Sequence, residues 1–128
     1  MKNIIITNNL SVKEKFQDNF KVEFLEGKTY MDVLGHTRDF IHKGHELLTH
    51  PLSGSVKPNE TPYKSIIVSS KVGDLDESGL KILEDSIQTV DKFMENQKTP
   101  NWTERVLDDF RVIDLSLMEN VIDRLGHK

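Results

Sequence analysis

K-N-I-I-I-T, running from Lys2 to Thr7, decides the fold. Consecutive β-branched residues without polar alternation are what a strand buried on both faces requires, and Asn8-Asn9 breaks the run. Ser11-Val12-Lys13-Glu14 has the Ser-x-x-Glu spacing of a capping box, where hydroxyl and carboxylate satisfy orphan backbone amides, and predicts a short helix to about Asn19. Val22-Glu23-Phe24-Leu25 reads as a second strand closed by Glu26-Gly27. The chain therefore opens β-α-β.

Working outward, Tyr30, Val33, Leu34, Thr37, Phe40 and Ile41 recur at three and four residues and define one face of a helix, with Thr29 as its N-cap. His42-Lys43-Gly44 ends it: cations meet the negative end of the dipole and glycine supplies the left-handed position beyond the cap. Glu46 to Thr49 is a weak third strand, and S-I-I-V-S at Ser65 to Ser69 a stronger fourth. Leu75, Leu80, Leu83, Ile87, Val90 and Met94 mark a third helix over about 75–96, entered through Asp74 with Glu77 three residues on. Thr99-Pro100 predicts the start of a last helix over about 100–125, because proline at the first helical position loses no needed amide. Its apolar residues include Trp102, Val106, Phe110, Ile113, Leu117 and Val121, with a bend expected near Ile113 to Leu115. Strands alternating with helices predict one α/β domain across residues 1–128: a small, mostly parallel sheet, Asn3 to Thr7 its central strand, helices on both faces in a Rossmann-like three-layer sandwich, and two C-terminal helices.

Composition narrows the function classes. Ordinary domain size gives enough core to fold without a metal or disulfide. The absence of cysteine excludes disulfides, thiol catalysis and thiolate metal sites, and fits a cytoplasmic protein. No apolar run approaches the ~20 residues of a membrane span, so no membrane partner is expected. A net charge of -4 argues against nucleic acid as a partner, since phosphate neutralisation needs clustered cations. Charge is uneven: Met1 to Gly73 holds 10 Lys or Arg against 8 Asp or Glu, and Asp74 to Lys128 holds 7 against 13, so the C-terminal helices present acidic faces.

The segment His50 to Lys64, H-P-L-S-G-S-V-K-P-N-E-T-P-Y-K, has three prolines, one glycine and no periodicity. A loop this long in a compact domain is commonly functional. In open α/β sheets ligands collect beyond the carboxyl ends of the strands. On this reading Asn8 and Asn9 arrive there after strand one, Glu26 and Gly27 after strand two, His50 to Lys57 after strand three, and Ser69 to Lys71 after strand four. Ser53-Gly54-Ser55 offers hydroxyls and close backbone amides, and Lys57 adds charge, so Asn8, Asn9, His50, Ser53, Gly54, Ser55 and Lys57 are the candidate residues for binding a small anion. No phosphate-loop or dinucleotide glycine motif accompanies them. A serine nucleophile lacks its elbow motif and its orienting carboxylate. His36, His42 and His45 share no helical face, so no metal and no cofactor is expected.

I-I-I-T-N-N at Ile4 to Asn9, V-E-F-L-E-G at Val22 to Gly27, and H-P-L-S-G-S-V-K-P-N-E-T-P-Y-K-S at His50 to Ser65 resemble the GrdX family, the likeness running from about Met1 to Val68 and fading beyond. The resemblance implies a small accessory protein encoded beside the glycine reductase system of amino-acid-fermenting anaerobes. That selenium-dependent, thioredoxin-coupled system reduces glycine and releases acetyl phosphate. Without cysteine this chain cannot be its thiol component. Two functions follow as expectations: binding of phosphate, acetyl phosphate or a carboxylate metabolite at the loop, with enzyme activity left open, or docking on a glycine reductase component.

Overall fold

In a computed structural model, residues 2–54 and 56–126 are described. The elements in chain order are β1 (Ile4–Thr7), α1 (Leu10–Phe16), β2 (Lys21–Phe24), α2 (Tyr30–His42), β3 (His45–Leu47), β4 (Ser65–Val72), α3 (Glu77–Asn96) and α4 (Glu104–Arg124). The strands form one sheet in the order β2-β1-β4-β3, with β1 inside it as its isoleucine run requires.

Side-chain alternation distributes the core. Ile4 and Ile6 of β1 face the same way as Ile66 and Val68 of β4, where Tyr30, Val33, Leu34 and Ile41 of α2 and Leu83 and Val90 of α3 cover them. Ile5 and Ile67 face the other way, against Val12 and Phe16 of α1, Phe20, and Met118 and Ile122 of α4. The β1–β4 register places Ile5 opposite Ile67 and Ile6 opposite Ile66, so each cross-strand pair contributes to a single face. Helices thus cover both faces, as expected.

Strand direction departs from expectation. β1 pairs with β2 in parallel, but β4 runs antiparallel to both β1 and β3, so the sheet is mixed rather than mostly parallel. The reason lies in the connection from β3 to β4. A parallel neighbour requires a crossover, usually helical, whereas the described residues of 48–64 contain no helix and simply return the chain.

Helix boundaries shift for equally local reasons. Asn9, not Ser11, caps α1: its side chain accepts the Ser11 amide, and the helix ends at Phe16 instead of Asn19. Thr29 caps α2 as predicted, with the Asp32 carboxylate accepting the Thr29 amide in return. Gly44 takes φ +104° in the turn between α2 and β3. Asp76 rather than Asp74 caps α3, and Thr103 rather than Thr99 caps α4, leaving Pro100 in the linker. α4 runs unbroken past Ile113 to Leu115, and its buried stripe is Asp114, Met118 and Ile122. That stripe lies one residue away from the predicted Ile113, Leu117 and Val121. Ile113 is 40% exposed.

Candidate functional site

Because β4 is antiparallel to β1, the edge beyond the carboxyl end of β1 receives the start of β4. Thr7 lies opposite Ser65, and Lys64 stands just outside the strand. Ser69 to Lys71 accordingly sit toward the opposite edge, not beside Asn8 and Asn9 as the parallel reading required.

A buried polar chain crosses this edge. The Thr7 and Ser65 hydroxyl oxygens are 2.6 Å apart, and Ser65 donates to Asp114 Oδ2 at 2.7 Å. The Asn9 side-chain amide also donates to that carboxylate oxygen, at 3.1 Å, and to the Arg111 carbonyl at 3.0 Å. The Asn9 backbone amide donates to Thr7 Oγ1 at 2.9 Å. Each hydroxyl therefore has a partner on either side, and the chain ties β1 and β4 to the middle of α4. Bonds in series within a low dielectric reinforce one another.

Beside this chain lies Lys64, 5% exposed. Among the described residues its ammonium has one hydrogen-bond acceptor, the Ser53 carbonyl at 3.4 Å. Burial pushes its pKa down to about 8, against the opposing pull of the Asp114 charge. Burial pushes the Asp114 carboxyl up, although Asn9, Ser65 and Lys64 each favour its ionised form. The Tyr30 phenol is pushed up as well, by burial and then by the Asp114 charge, and its hydroxyl donates to the Pro51 carbonyl at 3.2 Å. Lys64, Asp114, Tyr30, Tyr63, Ser53 and Val56 are among the residues around a cavity of about 20 Å³. A space of that size holds about one water molecule.

The loop over this cavity is pinned. Asn8 donates to the carbonyls of Lys28 at 2.9 Å and Pro62 at 2.8 Å, and its side-chain oxygen accepts the Lys64 amide at 3.0 Å. Trp102 Nε1 donates to the Glu60 carbonyl at 2.7 Å, and the Asn59 amide to the Gln97 carbonyl at 3.0 Å. Arg111 donates to the Tyr63 hydroxyl at 2.7 Å while holding Glu104 at 2.7 Å. Gly54 adopts φ +98° with its missing Cβ position 2.7 Å from Leu117 Cδ1, so loop and α4 meet where only glycine fits.

Among the residues expected from sequence, Asn8 and Asn9 stand at the edge with their side chains engaged as described. His50 is exposed and its Nδ1 accepts the Leu52 amide at 3.0 Å, shaping the turn. Ser53 presents its carbonyl to Lys64, Gly54 abuts α4, and Lys57 is exposed. Ser55 lies outside the described residues. Glu26 and Gly27 are exposed after β2. The histidines stay apart: His36 Nε2 lies 3.9 Å from Glu23, His42 is exposed, and His45 Nδ1 donates to the Ser69 carbonyl at 2.7 Å. Among the described residues, no group of three or more His, Cys, Asp or Glu is placed to hold a metal ion, and no helix is long and apolar enough to cross a membrane.

Sequence reasoning missed Lys64, Ser65, Asp114 and Tyr30 as site residues. A signal existed for one of them: Asp114, Met118 and Ile122 recur at four residues, which puts a carboxylate on an otherwise apolar stripe. A second lay in Lys64, which abuts the apolar run entering β4.

No curated protein and no solved structure matches the chain. A family model described as GrdX-like protein matches residues 4–123, reaching through α4 and well past the Val68 limit read from the motifs. Asn9, Lys64, Ser65 and Asp114 all fall inside that match, and the chain belongs to the GrdX-like protein family.

Proposed function

We propose that the protein binds a small anion, a phosphate-bearing or carboxylate metabolite, at the Lys64 ammonium beneath the His50 to Lys57 loop. The observation that carries this reading is Lys64 itself: a buried ammonium with three donors and, among the described residues, one acceptor at 3.4 Å. A desolvated cation normally closes into a pair or a full set of hydrogen bonds. Here the nearest buried carboxylate, Asp114, is already engaged by Ser65 and Asn9, which leaves the ammonium open to an incoming anion. The cavity admits about one water as it stands, so the anion enters by displacing its wall at Ser53 and Val56. His50, Ser53, Gly54 and Ser55 then supply backbone and hydroxyl groups, Lys57 adds charge at the rim, and Asn8 and Asn9 hold the edge in shape.

The role that follows is that of an accessory binding protein, linked through the family resemblance to glycine reductase and amino-acid fermentation in a cytoplasmic setting. The test is titration with phosphate, acetyl phosphate, acetate and glycine, followed by thermal shift and calorimetry, on the natural chain and on Lys64→Met. One anion stabilises the natural chain saturably, its affinity falls as pH rises past about 8, and Lys64→Met abolishes the response. Equal binding by Lys64→Met removes Lys64 from the site.

A second reading is favoured by a specific surface. Leu10, Val112 and Ile113 are 48%, 55% and 40% exposed, and the Asn9 bond to the Arg111 carbonyl draws the start of α1 against this part of α4. Apolar side chains beside the candidate site suit docking on a protein, here a glycine reductase component. Co-purification with such a component that is lost in Val112→Asp, without any anion response, selects this reading over the first.

A further inference from the structure

On the α2–α3 side of the same edge lies a second and larger space, about 220 Å³, whose walls are Tyr30, Met31, Pro58, Pro62, Val90 and Met94. Its chemistry is set by which polar groups are already used. The Thr29 hydroxyl accepts the Asp32 amide. The Thr61 hydroxyl donates to the Tyr63 carbonyl and accepts the Tyr63 amide. The Thr99 hydroxyl donates to the Met94 sulfur at 3.7 Å, and the Tyr30 hydroxyl points its proton at Pro51. Each lining hydroxyl therefore already has a partner within the protein. Lys28 is exposed at the mouth.

We propose that this slot is a binding site for a compact, uncharged apolar ligand, a short branched alkyl group or a small ring. An enclosed apolar cavity of roughly 150 Å³ takes up benzene, and this space, open at its mouth, is large enough for a body of that size. Methionine walls adapt to the shape of an occupant because the thioether is unbranched and flexible. Met31 and Met94 lie on two different helices facing the space, and the prolines of the 48–64 connection form a stiff third side. The slot shares Tyr30 and Thr61 with the cavity at Lys64. Its occupancy nevertheless stands independently of anion binding, since the one charged side chain among its lining residues, Lys28, is exposed at the mouth and the inner walls are apolar.

The test uses methyl-labelled methionine, because the chain carries its own control: Met118 belongs to the core on the opposite face of the sheet. Benzene and 3-methylbutan-1-ol, titrated separately, shift the Met31 and Met94 methyl resonances saturably and leave Met118 in place. Isovalerate, the same branched body carrying a carboxylate, binds roughly tenfold more weakly, because the charge loses hydration on entry. Thr99→Trp, which places an indole over the mouth from a linker rather than a helix, removes the saturable shifts. Non-saturating shifts, or equal shifts at Met118, overturn the site. Tighter binding of isovalerate than of the alcohol overturns the assignment of an uncharged ligand. The readout in the natural chain does not depend on whether Thr99→Trp folds, and the phosphate titration of Lys64 is a separate experiment, so failure of either site is seen on its own.

Discussion

Lys64→Met replaces a buried ammonium by an apolar side chain of similar length, and the structure fixes what should follow. The folded-state pKa of about 8 lies below the 10.5 of a free lysine. Below pH 8 both folded and unfolded chains hold the proton, and the full cost of burying the charge, about 3 kcal/mol, weighs on the folded state. Between the two values the unfolded chain still holds the proton while the folded chain has released it, so stability rises with pH. From pH 7.5 to 9.5 the natural chain should gain about 2 kcal/mol from this group. Lys64→Met should show no such gain. At pH 7.5 the variant escapes the burial cost, which is already net of the Asp114 attraction, but forfeits the long bond to the Ser53 carbonyl, about 1 kcal/mol. A net increase of roughly 2 kcal/mol follows from those opposing terms. Urea unfolding of both chains at pH 7.5 and 9.5 measures it. The upper limit matters because the Tyr30 phenol, pushed up by burial, would be ionised first in the unfolded chain and would lower stability above about pH 10. Parallel pH dependence of the two chains, or a loss of more than about 2 kcal/mol in the variant at pH 7.5, refutes the reasoning. Lys64 would then be a structural group whose interactions outweigh its desolvation.

Gly54→Ala forces a side chain into a backbone with φ +98° and against Leu117, and should lower stability by about 1–3 kcal/mol in the same unfolding assay, without altering the pH dependence. Ser65→Ala deletes the hydroxyl between Thr7 and Asp114, leaving both with an unmet partner; a loss of about 1–3 kcal/mol is expected at neutral pH, by chemical denaturation. Thr29→Ala removes the cap of α2 and should cost about 1 kcal/mol by thermal unfolding. The Asp32 carboxyl is held below its usual range chiefly by the Thr29 amide, so the natural chain keeps this contribution above about pH 4 and loses it as acid protonates Asp32, whereas a chain with Asp32→Asn loses that acid dependence.

Much of the architecture was legible because local and tertiary demands agree. The isoleucine run of β1 is buried from Ile4 to Thr7 on both faces, and Thr29 and Gly44 bracket α2 where their backbone chemistry requires. Sheet direction was hidden, since a four-residue apolar strand reads the same whichever way it runs. The decisive fact was negative: the described residues of 48–64 lack the helix that a parallel crossover needs. Helix starts near 74 and 99 misled because each region offers two capping residues, Asp74 or Asp76 and Thr99 or Thr103. In both cases the later one caps the helix.

The site was less legible because its members conflict with the pattern of the elements that carry them. A carboxylate on the Met118–Ile122 stripe and an ammonium at the entrance to S-I-I-V each cost stability where an apolar residue would have contributed it. Antiparallel pairing of β4 with β1 is what lets these two residues line one cavity. Had β4 run parallel to β1, its first residues would have reached the far edge, away from Asn9. The single reversal of direction that the sequence concealed therefore also assembles the buried cluster. Loop residues pinned over Lys64 by Asn8, Tyr30, Trp102 and Arg111 keep water largely out of it, which is what holds the ammonium at a proton affinity poised near neutrality. An anion arriving beneath the loop would favour the charged lysine and draw in a proton wherever Lys64 is partly neutral. Proton uptake on binding near pH 8, absent in Lys64→Met, is thus the calorimetric signature that a site built at this cost to folding should leave.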